Sequence, residues 1–112
     1  MCTPPAIPEY AQNLVKLVSD LRTACPAPNM PVVVGEVGHG GPLSSGAMLE
    51  FGKTQEAGIH AVRDTLFMKT TDCARPAELS PCPAHGHHWF ANAESSFLIG
   101  DAAREGMKSL LK

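Results

Sequence analysis

Residues 31–37, Pro-Val-Val-Val-Gly-Glu-Val, are the stretch on which the fold prediction depends. Three consecutive β-branched residues favour a strand, and a continuous apolar run is typical of a strand buried inside a sheet. Pro26 and Pro28 precede the run and would end a preceding helix. The stretch therefore predicts a buried strand that follows the end of a helix.

Helical periodicity flanks this strand on both sides. Residues 9–24 have apolar side chains on one face at steps of three or four, namely Tyr10, Leu14, Leu17, Val18 and Leu21. Residues 47–63 repeat the pattern with Met48, Phe51, Gln55, Ile59 and Val62. Both segments are predicted to be amphipathic helices.

The rest of the chain continues the alternation. Residues 66–70 predict a short strand and residues 71–91 a long, Pro-bearing loop. Asn92 can cap a final helix, whose apolar face comprises Ile99, Ala103, Met107 and Leu110. The order helix, strand, helix, strand, loop, helix predicts an α/β protein with about two parallel strands and three helices.

Composition limits the size of the protein and its partners. The chain has 112 residues, 44% of them hydrophobic, which suits one small domain. A formal net charge of −2 without a basic cluster argues against nucleic acid and against an anionic membrane. No apolar run approaches the roughly 20 residues of a membrane helix, and the first residues lack the pattern of a signal peptide.

The four cysteines are widely and irregularly spaced. Cys73 and Cys82 flank a Pro-rich loop and are the better candidates for a disulfide. Free, partly buried thiols are the favoured interpretation.

Two polar residues near the predicted strands are candidate site residues. Gln55 lies on an apolar helical stripe, where an unpaired amide would cost about 1–3 kcal/mol, so it needs a partner. Glu36 lies near the end of the first strand, at the edge where ligands of open α/β sheets bind. It can equally be a solvated carboxylate. A Gly- and Ser-rich loop, residues 38–46, follows it, and His39 in that loop is expected to be merely exposed.

Residues 84–95, Ala-His-Gly-His-His-Trp-Phe-Ala-Asn-Ala-Glu-Ser, place three of the five histidines within four positions. Imidazole transfers protons near neutral pH and also binds metals. A zinc site could combine two histidines with Cys73 and Cys82, but the spacing matches no metal motif. A purely structural loop is the remaining alternative.

The segment HGHHWFANAESSFLIGDAAREGMKSLL (85–111) resembles the last block of the sialate O-acetylesterase-like carbohydrate esterases of the SGNH hydrolase superfamily. Three further segments resemble consecutive blocks of that family, in the same order. They are EYAQNLVKLVSDLR (9–22), MPVVVGEVGHGGP (30–42) and MLEFGKTQEAG (48–58).

The resemblance implies a partial flavodoxin-like three-layer α/β/α fold and hydrolysis of O-acetyl groups on carbohydrates, without a metal or organic cofactor. His88 corresponds to the catalytic histidine. Gln55, Glu36 and His85 become candidates for supporting the site.

The chain departs from the family at three points. Gly52 replaces an arginine, and His85 stands where an aspartate orients the histidine; Asp72, Glu78 and Glu94 are possible substitutes. The family's nucleophilic serine lies in a Gly-Asp-Ser-like block, which these 112 residues do not contain.

We therefore expect residues 1–112 to be the C-terminal part of an esterase domain, with negligible turnover alone. The alternative is a non-catalytic remnant or interaction fragment. Missing strands would expose a sheet edge, so self-association is expected in either case.

Overall fold

A computed structural model of the chain describes residues 6–38 and 46–112. These residues form three α-helices, α1 (Ile7–Ala24), α2 (Ala47–His60) and α3 (Ala93–Leu110), and two strands, β1 (Val32–Gly35) and β2 (Thr65–Met68). The protein is thus mixed α/β and mostly helical, as the order of its sequence patterns predicts.

The two strands form a parallel sheet. Val32 pairs with Thr65, and the register continues to Gly35 opposite Met68. Because side chains alternate along a strand, Val33 and Leu66 lie on one face of the sheet while Val34 and Phe67 lie on the other. The prediction of parallel strands joined by a crossover helix is confirmed.

Helices α1 and α2 cover one face of the sheet. Leu14, Val18 and Ile59 form the centre of the core, and Val34 and Phe67 pack against it. The two helices approach closely because α2 carries a glycine at the contact. A Cβ atom on Gly58 would lie 3.1 Å from the carbonyl oxygen of Ala11.

The apolar face of α1 is wider than the part of it that is buried in the core. Residues 9–24 form the predicted helix, but its apolar face is only partly buried, because Leu17 is 53% exposed and Leu21 is 41% exposed. At the N-terminal end of this face Tyr10 packs on Phe51 of α2, whereas Leu17 and Leu21 further along are not covered by the described residues.

Helix α3 covers the opposite face of the sheet. A Cβ atom on Gly106 would lie 3.2 Å from Leu66 Cδ2 and 3.4 Å from Val33 Cγ1, so the helix backbone lies almost directly on the strands. The helix begins where the sequence predicts, because the side chain of Asn92 accepts a hydrogen bond from Ser95 N at 3.1 Å.

The segment between β2 and α3 is more ordered than the predicted loop. It contains two short 3₁₀ helices, Thr71–Cys73 and Ala77–Leu79, and a kinked helical segment, Gly86–Ala91, whose two turns differ in hand. Cys73 is buried and Cys82 is half-buried, and both are free thiols. No helix in the described ranges is both long and apolar enough to cross a membrane.

Candidate functional site at the carboxyl edge of the sheet

The residues that follow β1 and β2 are joined through Glu36. Its Oε2 atom accepts hydrogen bonds from Thr70 N at 3.0 Å and Thr71 Oγ1 at 3.1 Å. Its carbonyl oxygen accepts another from Thr70 Oγ1 at 3.1 Å. Thr70 is 2% exposed, so these bonds lie largely out of water. Glu36 therefore joins the carboxyl ends of the two strands.

Gln55 holds the next residue of the same segment. Its side chain is 2% exposed, and its Oε1 atom accepts a hydrogen bond from Val37 N at 2.8 Å. Its Nε2 atom lies 3.5 Å from Tyr10 Oη, to which it donates. The buried amide thus connects α1, α2 and the chain that leaves β1.

Gly52 lies directly beneath the Glu36 carboxylate. A Cβ atom at this position would be 3.3 Å from Glu36 Oε1. Any side chain at position 52 would therefore begin in contact with the carboxylate. Because residue 52 is a glycine, this position brings no charged group to the carboxylate.

Trp89 holds residues 85–91, the histidine segment, against the same edge of the sheet. The indole of Trp89 occupies the space that a Cβ atom on Gly38 would need. Gly38 lies three residues beyond the last residue of β1, so this contact brings the segment 85–91 to the carboxyl end of the sheet.

The backbone after His88 makes a left-handed turn. Trp89, Phe90 and Ala91 have φ angles of 52°, 57° and 55°, in a region that costs a non-glycine residue about 1–2 kcal/mol. Such a turn persists when its surroundings hold it. Here Phe90 is 6% exposed, its N–H donates to His85 O at 3.0 Å and its carbonyl accepts from Cys82 N at 3.0 Å.

The three clustered histidines are exposed. The ring centroids of His87 and His88 are 4.2 Å apart, and those of His85 and His87 are 5.7 Å apart. His88 lies immediately before the left-handed turn: its φ angle is −112°, and that of Trp89 is 52°. Its imidazole is therefore accessible on a segment whose backbone is held on both sides.

The three acidic residues considered as partners of His88 are bonded elsewhere or exposed. Within residues 6–38 and 46–112, no hydrogen bond or ion pair joins His88 to an acidic side chain. Glu94 instead pairs with Arg75, with 2.9 Å between Oε1 and Nε, and both Asp72 and Glu78 are exposed. His85 contributes its backbone carbonyl to the turn.

The other candidate groups do not assemble into a site. Among the described residues, no three histidine, cysteine or acidic side chains lie close enough together to hold a metal ion. Ser95 is fully buried and Ser96 Oγ donates to Asn92 O at 3.3 Å, so both belong to the start of α3. His39, Ser44 and Ser45 lie outside the described residues.

Sequence patterns placed Gly38 in the loop that follows β1, but they did not indicate that Trp89 contacts it or that Thr70 belongs to this edge. Gly38 had one usable signal, its place in a glycine-rich segment just after a strand. Trp89 contacts Gly38 although the two residues are 51 positions apart, and no local sequence pattern predicts such a contact.

Comparisons with protein-family models, with curated proteins and with solved structures give no match.

Proposed function

We propose that this chain supplies the histidine-bearing part of an SGNH-type carbohydrate esterase, on a partial flavodoxin-like α/β/α fold. The observation that carries the proposal is the contact between Trp89 and Gly38, which holds an exposed histidine segment against the carboxyl end of a parallel strand. Catalytic groups of open α/β sheets gather at this edge. The four segments that resemble the family, in the family's order, support the same function.

In this proposal His88 is the general base. Its imidazole takes the proton of a serine hydroxyl as the serine oxygen attacks an acetyl carbonyl. The protonated imidazole then gives that proton to the departing sugar oxygen, and a water molecule releases acetate by the same steps. The substrate is an O-acetylated carbohydrate.

The supporting residues act on the backbone near His88. Glu36 and Gln55 form hydrogen bonds that hold the segment after β1. Trp89 packs on Gly38 in that same segment. Glu36 and Gln55 are positioning residues. His85 stabilises the left-handed turn through its carbonyl.

The test restores a serine-bearing part, either from coding sequence upstream of Met1 or by grafting from a related esterase. The joined protein should hydrolyse p-nitrophenyl acetate, and His88→Ala should lower kcat by at least about 1,000-fold. His85→Ala and His87→Ala are matched controls with effects below about tenfold, because one imidazole alone can lie within about 3 Å of the serine oxygen.

The same assay distinguishes the alternative function. An active joined protein that tolerates all three substitutions would overturn the role of this segment. A folded joined protein without activity would favour the non-catalytic fragment. The isolated chain should be inactive, and turnover abolished by a serine-directed phosphonate would contradict the proposal.

A further inference from the structure

Tyr10 on α1 lies at one end of a line of contacts that reaches the histidine segment. The Nε2 atom of Gln55 donates to Tyr10 Oη at 3.5 Å, and the Oε1 atom of the same amide accepts from Val37 N at 2.8 Å. Val37 precedes Gly38, and the indole of Trp89 lies against that glycine. The line therefore connects the first helix with the histidine segment.

The Tyr10 hydroxyl satisfies the nitrogen end of a buried amide. Gln55 is 2% exposed, so water does not readily replace a lost partner of its NH₂ group. Among the described residues, Tyr10 Oη is the acceptor that this group bonds, while Val37 N bonds the oxygen of the amide. Because an unpaired buried amide is costly, a side chain that loses a partner shifts to find another. The hydroxyl of Tyr10 thus keeps the Gln55 oxygen directed at Val37 N.

The ring of Tyr10 is held independently of its hydroxyl. It packs on Phe51 of α2, with 4.3 Å between the ring centroids and 58° between the ring planes. Phe51 is 4% exposed and lies one turn before Gln55, so the ring and the amide lie at neighbouring positions on one face of α2. Tyr10→Phe therefore removes one hydrogen-bonding oxygen and leaves the aromatic contact in place.

We propose that Tyr10 is a positioning residue for the histidine segment. Its hydroxyl orients the Gln55 amide, the amide holds the backbone after β1, and Trp89 packs on that backbone. Tyr10 acts on His88 solely through these contacts, without a catalytic role of its own. This role rests on the proposed function of His88 and deepens it, because the placement of the imidazole then depends on a residue of the first helix.

The first test compares the full chain with its Tyr10→Phe variant. Trp89 is the single tryptophan, so its emission maximum reports the surroundings of the histidine segment. The substitution should shift that maximum. It should also speed hydrogen exchange of the Val37 amide by at least about fivefold, because this amide loses a firmly held acceptor. Unchanged emission, or unchanged exchange at Val37, would overturn the proposal.

Thr65→Val is the matched control. Thr65 Oγ1 donates to Val62 O at 2.7 Å and to Ile59 O at 2.9 Å, so this change also removes one hydrogen-bonding hydroxyl from the fold. Thr65 begins β2, at the end of the sheet opposite to the histidine segment. The control should lower the midpoint of urea unfolding without shifting the emission of Trp89 in the folded protein. An equal emission shift in both variants would indicate a general loss of packing and contradict the proposal.

A second test, in the joined serine-bearing protein, separates this role from the proposed function. Tyr10→Phe should lower kcat by about tenfold and leave KM unchanged, because a displaced imidazole impairs proton transfer without altering contacts to the substrate. Thr65→Val should leave both constants unchanged. Unaltered kcat in Tyr10→Phe, in a joined protein that His88→Ala inactivates, would rule out the positioning role alone. Activity that survives His88→Ala would instead overturn the proposed function, and the emission and exchange measurements would still decide whether Tyr10 positions the segment.

Discussion

The two parts of the molecule that meet at the carboxyl edge are held by different forces. The layer of α1 and α2 is held by apolar side chains with helical spacing, centred on Ile59. The segment between β2 and α3 is held by individual hydrogen bonds, a left-handed turn and the contact of Trp89 with Gly38. A substitution in the first part should lower the stability of the whole fold, while one in the second should also displace the histidines.

The largest effect is expected in the apolar layer. Ile59 is fully buried, so Ile59→Ala should lower the free energy of unfolding by about 2–5 kcal/mol through lost burial and the cavity that remains. Urea denaturation followed by circular dichroism measures this change.

Leu49→Ala is the control on the same helix. Leu49 is 50% exposed, and its truncation should change stability by less than about 1 kcal/mol. Equal effects of the two substitutions would contradict the assignment of the core to the contact between α1 and α2.

An intermediate effect is expected at the contact that holds the histidine segment. Gly38→Ala places a methyl group where the indole of Trp89 lies, so the indole must move and stability should fall by about 1–3 kcal/mol. Trp89 is the chain's single tryptophan, so its fluorescence reports the displacement directly as a shift of the emission maximum.

The matched control is Gly100→Ala in α3. A Cβ atom there meets nothing within 4 Å, so this substitution should leave the emission unchanged and stabilise the helix by up to about 1 kcal/mol. Unaltered emission in Gly38→Ala would show that the indole does not lie on this glycine.

The smallest effect is expected where the segment joins α3. Asn92→Ala removes the cap bond to Ser95 N at 3.1 Å and a bond from Nδ2 to Ser80 Oγ at 3.0 Å. Stability should fall by about 0.5–2 kcal/mol. Thermal unfolding measures it, with Asn13→Ala on the exposed face of α1 as the control. A neutral Asn92→Ala would mean that α3 starts elsewhere.

The prediction from sequence was most successful for the regular elements. The predicted helix over residues 47–63 is observed as Ala47–His60, and the predicted strand over residues 66–70 as Thr65–Met68. These patterns depend on neighbours a few positions apart, which share a helix face or alternate along a strand. Apolar spacing therefore predicted the elements, their order and the parallel sheet.

The same spacing could not show how much of each face is covered. Leu14 and Leu17 are equivalent in the pattern, yet Leu14 is 7% exposed and Leu17 is 53% exposed. Burial depends on which element packs alongside, and α2 lies on one side of α1 alone. Gln55 is a second example. Its position on an apolar helical stripe predicted that its amide has a hydrogen-bond partner, but the sequence did not identify that partner as Val37 N.

The sequence by itself determined the class of fold, the start of α3 at Asn92 and the grouping of three histidines on one short segment. Tertiary structure alone decided where that segment lies and how its backbone turns. Three consecutive non-glycine residues adopt left-handed angles against their intrinsic preference. That conformation depends on bonds to Cys82 and His85 and on the contact with Gly38, 51 positions away from Trp89, and no local pattern encodes contacts between such distant residues.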